Sequence, residues 1–197
     1  MSTASNSSHE TALELKEKYY ETHNKNVFFK SSQKFDCARD ICSKVDIFDL
    51  MEQTFWIVPN QDNIYFDYRI YKLYGNPDNF KVFIDSVLHL AKWCIREYGS
   101  FEIHLNFSSF TVSAAERYKE MVKMFCDICM TQTEIEYLPN LRSLTIHNTP
   151  KIFDHIYKIL VPILPPEIVP KLRIKHKEES LPVLTQIYEN SGKTYTA

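Results

Sequence analysis

The sequence predicts an α/β domain, a mainly parallel open sheet with flanking helices, preceded by a short N-terminal helical cap. Three observations lead there. Runs with strand alternation recur at 64–74, 101–107, 141–147 and 171–176. Between them, apolar residues return every three or four positions, the helical period. Alternating strand and helix signals give parallel strands joined by crossover helices. The extension and cap take residues 1–60, and the α/β domain residues 61–190.

Residues 1–8 are small and polar and read as unstructured. A short helix follows from His9 to Tyr20, with Leu13, Leu15 and Tyr19 inward, and another near Ser43 to Gln53, with Val45, Phe48, Leu50 and Met51 inward. The first strand places Ile64, Phe66, Tyr68 and Ile70 on one face and Asp67 and Arg69 on the other. Asp78 is the expected cap of a helix carrying Phe80, Phe83, Val87, Leu90, Cys94 and Tyr98, and Gly99 its left-handed stop. "FEIHLNF" is the second strand. Ser113 with Glu116 forms a capping-box pattern before the stripe Ala114, Tyr118, Met121, Phe125 and Ile128. The third strand, "LRSLTIH", stops at Asn148-Thr149-Pro150. There Asn148 suits an Asx-type turn and Pro150 the first position of a helix over 151–161. Pro162, Pro165 and Pro166 break that helix before the fourth strand.

Composition excludes several functions. Only three glycines occur among 197 residues, at 75, 99 and 192. A P-loop, a dinucleotide fingerprint and a nucleophile elbow each need clustered glycines, so none is present. A net charge of -2 argues against a nucleic-acid binder. No apolar run reaches the roughly 18 residues of a membrane span. The N-terminus lacks the pattern of a signal peptide, and five cysteines fit a reducing, cytoplasmic setting.

Candidate chemistry is sparse. Cys126 and Cys129 form a C-x-x-C, but inside a helical pattern, where cysteine packs as a small hydrophobe. Cys37 and Cys42 are a looser pair, and no metal or cofactor is expected. His104 and His147 lie on adjacent strands and, with Ser108 or Ser109, sketch a hydrolytic site without an activated-nucleophile motif. The basic comb Lys171, Arg173, Lys175 and Lys177 suits lipid headgroups, an anionic membrane surface, or a protected sheet edge. The helix after Pro150 carries Ile152, Phe153, Ile156, Tyr157, Ile159, Leu160, Ile163 and Leu164. That face is wider than one packing stripe, and it either lies sandwiched or lines an apolar cavity.

Those segments resemble the CRAL-TRIO lipid-binding family. The strand ending in Asn148-Thr149-Pro150, the apolar helix Phe153 to Leu160, the break at Pro162, Leu164 and Pro165, and Lys171-Leu172 follow its order. "FEIHLNFSSFTVSAAERYKEMVKMF" is similar to its preceding strand, loop and helix, and "YLPNLRSLTIHN" to its "YPxxLxxxxxxN" entry. The compact, BCH-like branch found beside Rho GTPase-activating domains looks nearest. The resemblance implies non-catalytic lipid binding or exchange, with a phosphoinositide or other phospholipid held over the sheet. Ile103, Leu105, Phe107, Ile146, Phe153, Ile156, Tyr157, Leu160 and Leu164 are the expected lining, and Lys171, Arg173 and Lys175 the expected contacts to headgroup or membrane. It also implies peripheral membrane attachment. The alternatives are a module for small GTPases or GTPase-activating proteins and, more remotely, an esterase-like hydrolase.

Overall fold

Five strands form one sheet in the order β1-β2-β3-β4-β5: Phe55–Ile57, Asn63–Asp67, Phe101–Asn106, Leu141–His147 and Leu172–Ile174. β1 is antiparallel to β2, and every later pair is parallel. The four parallel strands fall within the predicted runs, whereas β1, three residues directly after α3 (Ile47–Thr54), was not expected. The computed structural model describes residues 7–24, 30–132 and 134–195, so residues 1–6 of the expected polar tail lie outside it.

Each parallel strand sits one place beyond its predecessor, so crossovers of one hand deliver their helices to the same face. These helices are α5 (Phe80–Tyr98), α6 (Val112–Thr131) and α8 (Phe153–Leu160), counting a one-turn α7 (Tyr137–Asn140) before β4. Register assigns the sheet faces. Ile64 pairs with Ile103, Ile103 with Leu144, and Leu144 with Leu172, so these share the face under α5, α6 and α8. Tyr65, His104, Thr145 and Arg173 pair in the same way on the other face. That second face is covered by α9 (Lys177–Asn190), whose Leu184, Ile187 and Tyr188 cluster with Val58 and Tyr65.

The N-terminal region forms α1 (Ser8–Thr22), α2 (Lys30–Cys42) and α3 (Ile47–Thr54). Their buried Ala12, Cys37, Ile41 and Leu50 belong to the same core as the α/β elements. Ser7 caps α1: its hydroxyl accepts from Glu10 N–H while Glu10 accepts from Ser7 N–H. The inward residues differ from expectation. Leu13 is exposed, and so is Phe48 at 58%. In α2 the buried positions are Cys37, Ala38 and Ile41, two of them small, which left little apolar signal to read.

The first strand is shorter than its alternation suggests. β2 ends at Asp67, whose carboxylate accepts from Arg69 N–H and starts α4 (Tyr68–Tyr74). Tyr68, Tyr71 and Tyr74 then return every third residue and are all buried. Alternation and helical spacing overlap in this stretch, and the cap decides between them.

Three other expectations about helix ends need correction. Asn76, not Asp78, caps the 3-10 turn Pro77–Asn79 that leads into α5, and Asp78 pairs with Arg39 of α2 at 2.7 Å. Thr111 caps α6, accepting from Ala114 N–H, so the Ser113–Glu116 pattern lies inside the helix. Pro150 stays outside α8, which begins at Phe153 and passes into the 3-10 turn Val161–Ile163. Gly99 does adopt the left-handed conformation, with φ 77°.

The Asn-Thr-Pro junction is a clasp rather than an Asx turn. Asn148 has φ 54°, and its side-chain amide donates to Asn106 Oδ1 and to the Tyr195 hydroxyl, each at 2.8 Å. Its N–H donates to Ser180 Oγ of α9 at 2.9 Å, and Thr149 N–H to the Lys175 carbonyl beyond β5 at 3.2 Å. One short segment thereby ties the ends of β3, β4 and β5 to the C-terminal helix.

Candidate functional site

Between the apolar sheet face and the three crossover helices lies a cavity of about 170 Å³. Phe66, Leu105 and Leu144, on central strands, are only half-buried and border this space. Helices α5 and α6 close it with Phe83, Val87, Met121 and Phe125, and the proline-broken segment after α8 with Leu164 and Ile168.

Five of the nine expected lining residues reach this wall: Ile103, Leu105, Phe107, Leu160 and Leu164. The other four are placed differently. Ile146 is on the same sheet face but is covered toward the β5 side, opposite Ile174. Phe153 and Ile156 are buried in the main core, and Tyr157 is half-buried beside Phe153, their ring centres 6.5 Å apart. Phe66, Leu144, Phe83, Val87 and Met121 were missed as lining. Their signal was present in the stripes of α5 and α6 and in the alternation of β2 and β4, but a stripe facing a cavity looks like one facing a core.

The basic comb does not form a single row. Lys171 ends the 3-10 turn Val169–Lys171, and its Nζ donates to the Leu138 carbonyl at 2.6 Å. Arg173 pairs with Thr145, which puts it on the sheet face opposite the cavity, and Lys177 opens α9. Lys175 continues the alternation, its N–H donating to the Ile146 carbonyl at 2.9 Å.

Beside Arg173 and Lys175 stand the two histidines. His104 Nδ1 and His147 Nε2 are 2.9 Å apart, so one proton bridges them, while among the described residues His104 Nε2 and His147 Nδ1 find no hydrogen-bond partner, the Glu102 carboxylate standing 3.7 Å from His104 Nε2. Burial lowers both pKa values. Lys175 pushes both further down, and Arg173 also disfavours charge on His104, against the raising influence of Glu102. Neither serine of the sketched triad bonds to them among the described residues; Ser109 Oγ instead accepts from Lys72 at 2.8 Å. Burial thus favours the neutral form of the pair, with a consequence for pH. A histidine whose folded pKa lies below its unfolded value of about 6.5 gives stability above that pH and loses it as pH falls. Each excluded proton costs about 1.4 kcal/mol per pH unit. The urea midpoint is therefore expected to drop steeply below about pH 6.5, and His104→Gln/His147→Gln to flatten that fall.

The cysteines are equally inert. Burial pushes the Cys126 thiol up to about 11 and Cys129 to about 12, both far from the thiolate needed for chemistry. Among the described residues, no three His, Cys, Asp or Glu side chains gather as a metal site. None of the described helices is long and apolar enough to cross a membrane.

No curated protein matches the chain. Among solved structures, the crystal structure of Sfh5 aligns with a TM-score of 0.50 at 11% identity, covering 89% of this chain and 82% of that one. At that identity the likeness speaks for the fold: a mixed α/β sheet with flanking helices. The CRAL/TRIO domain matches residues 80–191, from the start of α5 to the end of α9. That span is more than half of the chain, which therefore belongs to the CRAL/TRIO domain family, a membership that supports a lipid-binding or lipid-transfer role.

Proposed function

We propose that the chain binds and exchanges a phospholipid, with an acyl chain received in the cavity above β2, β3 and β4. The half-buried state of Phe66, Leu105 and Leu144 carries this reading, since central-strand side chains in a filled core keep no accessible surface. Each buried methylene stabilises the complex by about 0.8 kcal/mol, and a bilayer offers the same gain on release. The free space of about 170 Å³ is below the roughly 300–1,000 Å³ of ordinary ligand sites. Uptake then requires Leu160, Leu164 and Ile168 to move outward. All three lie on the segment interrupted by Pro162, Pro165 and Pro166, which cannot continue α8 as a regular helix.

In this reading residues 61–190 are the lipid domain and residues 1–60 its cap, and the protein is cytoplasmic and attaches to membranes peripherally. Arg173 and Lys175, opposite the cavity, serve the anionic surface rather than the buried chain. A phosphoinositide headgroup fits the same basic chemistry. Lys171 joins them only if it leaves the Leu138 carbonyl.

The small volume also favours a second reading, an interaction module for small GTPases or GTPase-activating proteins. Transfer of a fluorescent phospholipid between phosphatidylcholine vesicles, with native mass spectrometry of the purified protein, separates the two. The parent should transfer and carry lipid. Leu105→Trp should lose both activities while melting no lower than the parent, because the new ring occupies the space the chain needs. A parent that carries and moves no lipid leaves the interaction module.

A further inference from the structure

A second, larger pocket of about 770 Å³ opens at the carboxyl ends of β2 and β3, between α1, α2, α4 and the start of α6. Its walls are cationic: Lys16, Lys30, Lys34, Lys72 and Arg117 against two carboxylates, Glu17 and Glu21. Lys16, Lys34, Lys72 and Arg117 form no ion pair among the described residues.

Arg117 is the informative residue. It is only 9% exposed, and a guanidinium cannot discard its proton when buried. Its Nη2 donates to the Tyr68 hydroxyl at 3.4 Å, its Nε finds no acceptor among the described residues, and it lies 4.8 Å from the Tyr118 ring centre. One long neutral hydrogen bond and one ring contact do not offset the desolvation of a full charge. Among the described residues the hydrogen-bond partner of Lys72 is neutral, Ser109 Oγ. Burial, followed by the neighbouring cations, lowers the pKa of Lys34, and burial followed by Lys16 lowers that of Lys72 against the raising influence of Asp67.

We propose that this pocket is a binding site for a phosphate ester, with Arg117 as its buried anchor and Lys34 and Lys72 closing on the remaining oxygens. The planar guanidinium fork matches two phosphate oxygens, and three cations match the dianionic charge. A site of this size accommodates more than a bare phosphate. The ester has two possible sources, a soluble phosphorylated compound or a phospholipid headgroup. Tyr68 lines both this pocket and the apolar cavity, so it is the wall a phospholipid would straddle. The site gives the α1–α2 cap a ligand-binding task, and its soluble form is independent of the lipid-exchange reading.

The test uses the full chain in two arms: calorimetric titration with inorganic pyrophosphate, and flotation with phosphatidylcholine vesicles with or without phosphatidic acid. Binding of pyrophosphate assigns the soluble source, and binding only to phosphatidic acid vesicles the lipid source. In the positive arm Lys72→Gln should weaken binding about tenfold, the loss of one charge-assisted hydrogen bond. Arg117→Gln should abolish binding yet leave the ligand-free melting temperature at or above that of the parent, because an unpaired buried charge is gone. Lys123→Gln, exposed further along α6, should change nothing. No binding in either arm, or binding untouched by Lys72→Gln and Arg117→Gln, overturns the proposal.

Discussion

Asp67→Ala is expected to destabilise the protein by about 3–5 kcal/mol, the cost of removing one member of a buried ion pair. Asp67 is fully buried, and its carboxylate is the shared acceptor of a network at the carboxyl end of the sheet. Arg69 reaches it from both backbone and side chain, the shortest contact being Nη2 at 2.7 Å. The hydroxyls of Tyr188 and Tyr65 donate to it at 2.8 Å and 3.3 Å. Alanine takes the carboxylate away from the half-buried Arg69 guanidinium and from two phenols and removes the cap of α4, a further cost of about 1 kcal/mol. Because domains are stable by only about 5–15 kcal/mol, this is a large share of the total. Tyr188→Phe loses one donor and should cost about 1 kcal/mol. Urea unfolding of the three proteins measures the difference. Limited proteolysis should show α9 cut first in Asp67→Ala, since Tyr188 anchors that helix to the carboxylate. Equal midpoints for Asp67→Ala and Tyr188→Phe would deny the network its central acceptor.

The same residue shows what sequence patterning can and cannot convey. Asp67 and Arg69 alternate with apolar neighbours and read as the solvent face of a strand. In the fold that face is covered by a helix more than a hundred residues later, and the chain turns into α4 between the two. Alternation reports which residues share a face, not what covers it. The parallel core of the sheet was legible because β2, β3 and β4 each have five or more residues and a helix of strong period follows each of the last two. β1 has three residues and α2 buries mostly small ones, so neither carried a usable pattern. The cavity was legible only in part. Leu160, at the end of α8, and Leu164, beyond the turn Val161–Ile163, border it, whereas Phe153 and Ile156, earlier on α8, are buried in the core. The basic pocket was not legible at all. Its cations come from α1, α2, α4 and α6, separated by up to a hundred residues of sequence, and no local run of charge announces them.

The apolar segment from Phe153 to Leu164 therefore contains two kinds of position, and a single charged substitution should tell them apart. Ile156 is fully buried and absent from the cavity wall, so Ile156→Asp forces an unpaired carboxylate into packed core. A cost above about 4 kcal/mol is expected, enough to leave little folded protein. Leu160 is half-buried at the border of the cavity, where its accessible side lets a carboxylate keep part of its hydration. Leu160→Asp should melt modestly below the parent, by the equivalent of about 1–2 kcal/mol. Its effect on function should be far larger. A bound acyl chain would strip water from that carboxylate without supplying a hydrogen bond, so lipid capture should fall by about tenfold or more. Thermal melts and vesicle-transfer rates, measured on both variants and the parent, check the two halves of this expectation separately. Leu160→Asp unfolding as fully as Ile156→Asp, together with a parent that transfers no lipid, would make the segment core throughout and remove its role as a movable wall.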